Sequence, residues 1–231
     1  MSPCNADEAL DCMSRGIAFF HEHDDFRAVF LAAYRVITEE MRAALRDPAF
    51  FCDPEWMDRV IGTFATLYFR SLRTFERGCD EEYAWKVAHG LAICKNSSVL
   101  QDVLLGVNAH IKYDLPHALE LHLREQQGTD REFAVRRKDH ERADLVLTRS
   151  ISLLQRSIPR TYGGSLRVFD RSFLRLDTLI ACFIGPYHRR QVWVDAVGLA
   201  RAASDDELQR LIRKINDASG RTAGIIRRWF V

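Results

Sequence analysis

Two histidine–aspartate pairs with the same spacing carry the most specific chemical signal in the sequence. His110 and Asp114 are four residues apart, and so are His140 and Asp144. On an α-helix this spacing places the two side chains of a pair on one face. Neutral imidazole and carboxylate groups bind divalent metals, and a histidine that is oriented by a carboxylate also acts as a general base.

Both pairs lie on apolar faces of their predicted helices. The residues within about 60° of His110 on an ideal helix are Val103, Val107, His117 and Leu121. The face of His140 and Asp144 continues through Phe133, Leu147, Ile151, Leu154 and Ile158. Because a buried carboxylate without a partner costs several kcal/mol, each pair requires compensation. Consecutive helices usually pack antiparallel, so we expect the two pairs to face each other.

Three interpretations of these pairs follow from the residue types. In the leading one, His110, Asp114, His140 and Asp144 together bind a divalent metal such as zinc, iron or manganese. In the second, a histidine oriented by its aspartate works as the base of a metal-free pocket. In the third, each histidine simply bonds the aspartate on its own helix and the pairs are structural.

Pro116 lies inside the helical pattern just after the first pair. A proline within a helix removes one amide donor, which would free the carbonyl of Lys112 and kink the helix beside the pair. Alternatively the helix restarts here with Asp114 as its N-cap, and this would turn Asp114 away from His110.

A second group of residues is a candidate for binding substrate. His188 begins another inward-facing stripe, and the adjacent Arg189 and Arg190 can hold an anionic group, although a solvated basic turn is the alternative. We include His117, His188 and Arg189 as candidate substrate-binding residues. The many aromatic side chains form the core by default, and a pocket for a partly apolar substrate would draw on the same residues.

Composition and motifs exclude several classes of protein. The 33 basic and 32 acidic residues among 231 give a net charge of +1, which offers no general field for nucleic acid or an anionic membrane. The six cysteines form no C-x-x-C pair, the start of the chain is acidic, and no apolar stretch is long enough to span a membrane. We therefore expect a cytoplasmic protein. The sequence contains no phosphate-binding loop, G-x-S-x-G elbow, H-E-x-x-H helix or dinucleotide-binding glycine pattern.

Apolar residues recur at helical spacing throughout, which predicts an all-α fold. We expect a single-domain irregular bundle of about seven to eight helices over residues 24–231, preceded by an N-terminal tail at 1–23. The predicted helices are Phe26–Leu45, one from the Asp53 N-cap to Arg77, Glu82–Lys95, Val99–Gln126, Arg131–Ser157, Leu166–Phe183, Tyr187–Ala202, and a last one capped by Ser204.

Two blocks of the sequence are similar to a known family. The segment Leu105–Leu119, LGVNAHIKYDLPHAL, resembles the hallmark of the domain-of-unknown-function 5995 family, and Phe50–Leu72, FFCDPEWMDRVIGTFATLYFRSL, resembles its other block. The likeness covers roughly Asp25–Ala203. It implies an all-helical protein whose activity is largely unassigned. The positions that match the motif, and are our candidate catalytic residues, are Asn108, His110, Tyr113 and Asp114.

The expected function is a small metal-dependent enzyme, either a hydrolase or a Lewis-acid-assisted lyase, with its His/Asp site buried between helices. One alternative is a metal-free cyclase or isomerase of small-molecule, natural-product biosynthesis, in which the pair moves protons. Another is a helical binding module without catalysis. In each case the expected partner is a small, partly apolar molecule, with no nucleic acid and no membrane. No pattern in the sequence specifies an oligomeric state.

Overall fold

Every regular element of the structure, a computed structural model, is helical within the residues that it describes, 2–79, 82–95, 97–124, 130–162 and 186–229. The elements are α1 (Ala6–Glu22), α2 (Arg27–Leu45), α3 (Pro54–Glu76), α4 (Tyr83–Cys94), α5 (Val99–Ala109), a π-helical turn (His110–Asp114), α6 (Leu115–Arg124), α7 (Asp130–Tyr162), α8 (Pro186–Ala200) and α9 (Asp205–Trp229). The predicted all-α bundle is confirmed. The predicted helix at Leu166–Phe183 lies outside the described residues.

N-capping side chains fix where several of these helices begin. Asp53 accepts a hydrogen bond from the amide of Trp56 at 3.0 Å, and Pro54 is the first residue of α3. The hydroxyl of Ser204 accepts one from the Glu207 amide at 3.2 Å at the start of α9. Both caps were predicted, and both satisfy amides that have no partner inside the helix.

Helix α1 is part of the core, whereas a tail was expected over residues 1–23. Ala9 and Met13 are fully buried in α1, and Phe20 is nearly so. The segment before α1 lies so close to α3 that a Cβ atom at Gly62 would be 2.2 Å from the carbonyl carbon of Cys4. The apolar face of α1 has helical spacing, but the acidic residues between its members made the segment resemble a polar lead-in.

Helix α2 occupies the middle of the bundle. It packs against α1, α5 and α7, while α6 packs mainly against α8 and α3. Between described residues, α7 makes at most marginal contact with α5 or α6. The predicted helices Val99–Gln126 and Arg131–Ser157 were expected to pack against each other, but each makes its main contacts with other helices. The core around α2 contains the largest buried side chains, which include Trp56, Tyr68 and Trp85. None of the described helices has the length and apolarity needed to cross a membrane.

Candidate functional site

A single π-helical turn, His110–Asp114, carries the first His/Asp pair. In it the amide of Leu115 donates to the carbonyl of His110, five residues back. Pro116 follows directly and has no amide to donate to Lys112, so a widened turn fits the place where an α-helical bond is missing. The helix therefore continues through this point, and Asp114 is not the N-cap of a new helix.

The carboxylate of Asp114 orients the imidazole of His110. Nδ1 of His110 lies 2.8 Å from Oδ2 of Asp114, and Nε1 of Trp85 donates to the same oxygen at 3.1 Å. All three side chains are buried. Burial lowers the pKa of His110 well below its usual value, so the ring is neutral at pH 7. In a neutral ring, a proton on Nδ1 that is donated to Asp114 leaves the lone pair on Nε2.

Aromatic side chains from neighbouring helices enclose the imidazole. The ring of Phe64 on α3 is stacked on it with a centroid distance of 3.4 Å and an interplanar angle of 7°. The ring of Tyr34 on α2 meets it edge-on at 4.3 Å. Such walls exclude water and strengthen electrostatic interactions inside the site.

Two polar atoms in this enclosure are buried without a hydrogen bond to any residue that the structure describes. They are Nε2 of His110 and the hydroxyl oxygen of Tyr34. Each such atom costs about 1–3 kcal/mol when it is left without a partner. Burial, together with the charge of Asp114, raises the pKa of Tyr34 well above its usual value, so the hydroxyl keeps its proton. Atoms of this kind mark places where a bound molecule can complete the hydrogen bonding.

A mostly apolar cavity of about 60 Å³ adjoins the enclosure. Tyr34 and Phe64, which contact His110, also line the cavity, and His140 and Arg189 line it from α7 and α8. The remaining lining residues are Ile37, Thr38, Met41, Met57, Val60, Ile61, Ile111, Leu115, Leu119, Ala143 and Leu147. The cavity thus touches both of the regions in which the His/Asp pairs lie.

In the second pair, His140 and Asp144 both bond Arg189. Nε of Arg189 lies 2.5 Å from Oδ1 of Asp144, and its Nη2 lies 3.3 Å from both Nδ1 and the carbonyl oxygen of His140. Nε2 of His140 is 3.2 Å from the carbonyl oxygen of Arg189. Burial, reinforced by the guanidinium, lowers the pKa of His140 well below its usual value. Burial raises the pKa of Asp144, and Arg189 opposes that shift.

The two pairs do not form one set of metal ligands. Among the described residues no three His, Cys, Asp or Glu side chains are grouped so as to hold a metal ion. Asp114 is bonded to His110 and Trp85, whereas Asp144 is bonded to Arg189. The physical reason is the packing, because α7 lies against α2 instead of against the helix that carries His110.

Only His110 and Asp114 of the four candidate catalytic residues meet. Asn108 is fully buried, but its Nδ2 donates to the carbonyl of Ser219 at 3.0 Å and so attaches α5 to α9. The hydroxyl of Tyr113 donates to Glu82 at 2.6 Å. These residues follow one another on the helix, but they point to different neighbours.

The candidate substrate-binding residues are also separated. His117 lies beside the ring of Tyr113, at a centroid distance of 4.8 Å, and burial lowers its pKa to about 4. Arg189 lines the cavity and is buried, contrary to the alternative of a solvated basic turn, while Arg190 is exposed and His188 is partly buried. Of the candidate substrate-binding residues His117, His188 and Arg189, it is Arg189 that lines the cavity.

The π turn explains why the predicted face of His110 does not extend into α6. Leu121 was expected on that face and is 45% exposed. A π turn contains one residue more than an α turn, and one residue corresponds to about 100° of rotation. A periodicity of 3.6 residues counted through residues 110–114 therefore assigns the wrong face downstream.

Tyr34, Phe64 and Trp85 complete the enclosure, and we had assigned such aromatic residues to the core by default. Their spacing indicated buried helical faces, which is correct. No local pattern showed which aromatic residue of α2, α3 or α4 lies opposite His110, because these contacts join segments that are far apart in the sequence.

Comparison with known proteins identifies a family. The model of a family described as "Family of unknown function (DUF5995)" matches residues 6–228. It confirms the resemblance found in the blocks at 50–72 and 105–119 and extends it nearly to both ends of the chain. No curated protein and no solved structure matches the chain.

Proposed function

The chain belongs to this family of unknown function (DUF5995), so its activity has to be inferred from its site, and we propose that it is an enzyme that moves a proton on a small, partly apolar molecule. The reaction class is isomerisation or cyclisation. The base is Nε2 of His110, and Asp114 orients the ring.

The orientation of His110 is the observation that carries this proposal. A carboxylate that accepts the Nδ1 proton selects the tautomer whose lone pair is on Nε2, and it stabilises the imidazolium that forms when Nε2 takes a proton. Trp85 bonds the same carboxylate oxygen and holds it in place. Nε2 itself has no partner among the described residues, so its lone pair is available.

Tyr34 supplies the complementary group. Its hydroxyl keeps its proton at neutral pH and lacks a partner within the described chain. Such a donor can bond a substrate oxygen on which negative charge develops when the base removes a proton. In the proposed cycle Nε2 accepts a proton from one atom of the substrate, the imidazolium exchanges that proton with solvent, and Nε2 then donates a proton to another atom, so the enzyme ends in its starting state.

The cavity supports a partly apolar substrate, since apolar side chains from several helices form most of its wall. A cytosolic location is part of the proposal. Its support is that Cys4, Cys12, Cys52, Cys79 and Cys94 are free thiols, as is usual in a reducing compartment.

A divalent metal on His110 is a second candidate, because a carboxylate on Nδ1 is also the arrangement that orients a metal-bound histidine. Tyr34, whose ring contacts the imidazole, also has a hydroxyl without a partner among the described residues. Zinc, iron or manganese usually takes at least about three protein ligands, and the described residues offer these two at this place. Hydrolysis or Lewis-acid-assisted elimination would then be the reaction class.

Deuterium uptake tests the proposal without knowledge of the substrate. A proton transfer that passes through His110 in D2O labels the molecule on which it acts, and mass spectrometry of a small-molecule cell extract detects the label. We expect wild type to label at least one compound, both before and after chelator treatment. His110→Gln should abolish the labelling.

His122→Gln is the matched control for a buried histidine. His122 is buried, and its Nε2 lies 2.8 Å from the hydroxyl of Thr63, away from the proposed base. This variant should label the same compound as wild type. Labelling by His110→Gln, or none by wild type, would refute the acid–base proposal, and loss of labelling on chelation alone would favour the metal candidate.

A further inference from the structure

The wall of the cavity includes two polar side chains from different helices that differ in charge. Tyr34 on α2 is neutral and contacts His110. Arg189 on α8 is 3% exposed and carries a guanidinium charge. Most of the other lining side chains are aliphatic. A molecule that fills this space therefore meets mainly apolar side chains and one cation.

The contacts of Arg189 with the described residues leave part of its guanidinium group for a ligand. Its hydrogen bonds to Asp144 and His140 engage Nε and Nη2, and Nη1 takes no part in them. A guanidinium group carries five N–H donors, and its planar fork matches a carboxylate. Nη1 thus provides two donors for a bound anion.

Within the part of the chain that the structure describes, the charge of Arg189 is only partly compensated. Its one salt-bridge partner in the described residues is Asp144, whose side chain is 34% exposed. Water screens a carboxylate at that exposure, whereas Arg189 is almost completely removed from water. His140, the other neighbour, is neutral because burial lowers its pKa. The cavity wall at Arg189 therefore favours a negative group.

From these observations we propose that the cavity binds a small apolar carboxylic acid, with its carboxylate on Arg189 and its apolar body between α2, α3 and α6. This inference rests on the proposed function, to which it adds the class of substrate. It places the charged end of the molecule against α8, in a cavity that is also lined by Tyr34, a neighbour of His110.

Three probes with one chain and different end groups test the proposal: hexanoate, 1-hexanol and hexylamine. We expect hexanoate to bind wild type at least about tenfold more tightly than 1-hexanol, since a charge-assisted hydrogen bond is worth this much or more. Hexylamine should bind least, because it brings a second cation to Arg189. Titration calorimetry at pH 7 gives the three affinities.

Arg189→Met keeps the volume of the side chain and removes its charge. It should reduce the affinity for hexanoate to that for 1-hexanol and leave 1-hexanol binding unchanged. The double variant Arg189→Met/Asp144→Asn should behave in the same way without an unpaired aspartate, and circular dichroism checks that both are folded. Ala143→Leu extends a side chain into the cavity and should weaken both probes.

Several results would overturn the proposal. They are equal affinities of wild type for hexanoate and 1-hexanol, no binding of any probe, retention of hexanoate affinity by folded Arg189→Met, and full affinity in Ala143→Leu. His110→Gln separates this inference from the proposed function. If it binds hexanoate normally and wild type labels nothing in D2O, the acid–base proposal fails and the binding site stands.

Discussion

Oδ2 of Asp114 lies 2.8 Å from Nδ1 of His110 across a single π turn, and the same oxygen receives the indole N–H of Trp85. One carboxylate oxygen therefore satisfies two buried donors from two helices. It links the stability of the bundle to the orientation of the proposed base, and this link can be measured.

Asp114→Ala should lower the free energy of unfolding by about 2–4 kcal/mol, because it leaves two buried N–H groups without an acceptor. Asp114→Asn keeps an acceptor oxygen at the same place and should cost about half as much or less. Urea denaturation of the two variants measures the difference. Equal losses would mean that the oxygen is not the shared acceptor.

Tyr34→Phe should not destabilise the protein and is expected to raise the free energy of unfolding by up to about 1 kcal/mol, because the lost hydroxyl has no described partner. It should at the same time abolish deuterium labelling. Tyr113→Phe is the matched control, since the hydroxyl of Tyr113 donates to Glu82 at 2.6 Å. Removing that hydroxyl should cost about 1 kcal/mol. A similar decrease in the free energy of unfolding in Tyr34→Phe and Tyr113→Phe would contradict the assignment of Tyr34 to the site.

His110→Ala and His140→Ala should have additive effects on stability. The two histidines share no hydrogen-bond partner among the described residues, and sites of this kind add within about 0.5 kcal/mol. Thermal or urea unfolding of both single variants and the double variant closes the cycle. A coupling of about 1 kcal/mol or more would show that the pairs act as one unit, as the sequence had suggested.

Asp102 should make stability depend on pH. Burial raises its pKa from 3.8 to about 7, against the opposing effect of a hydrogen bond from Ser97. Between pH 4 and 7 the folded protein keeps a proton that the unfolded chain releases, so rising pH favours unfolding. Relative to Asp102→Asn, wild type should lose about 1.4 kcal/mol per pH unit in this window and no more above pH 7.

The difference between wild type and Asp102→Asn isolates this group. Arg27 and His89 border the same small cavity as Asp102, and they are unchanged in the variant, so their contributions cancel. Parallel stability curves from pH 4 to pH 8 would show that Asp102 titrates normally. We expect Asp102→Asn to be more stable than wild type at pH 8.

Local patterns predicted the parts of this protein that depend on neighbours in the sequence. The start of α3 at Asp53 and Pro54 follows from capping, and the bond between His110 and Asp114 follows from a spacing of four residues. The place of Arg189 was not predictable in this way. An arginine at the start of a helix usually lies in solvent, and only its contacts with Asp144 and His140, some 45 residues earlier, explain its burial.

The π turn also sets the rotational phase of the helix that follows it. If the same residues continued through His110–Asp114 as a regular α-helix, every later side chain of α6 would turn by about 100°. Leu115 and Leu119, which line the cavity, would leave its wall, while His110 would keep its place. In evolutionary terms, we expect a relative with one residue fewer in this turn to have a regular α-helix here and to keep the same face of α6 against the cavity.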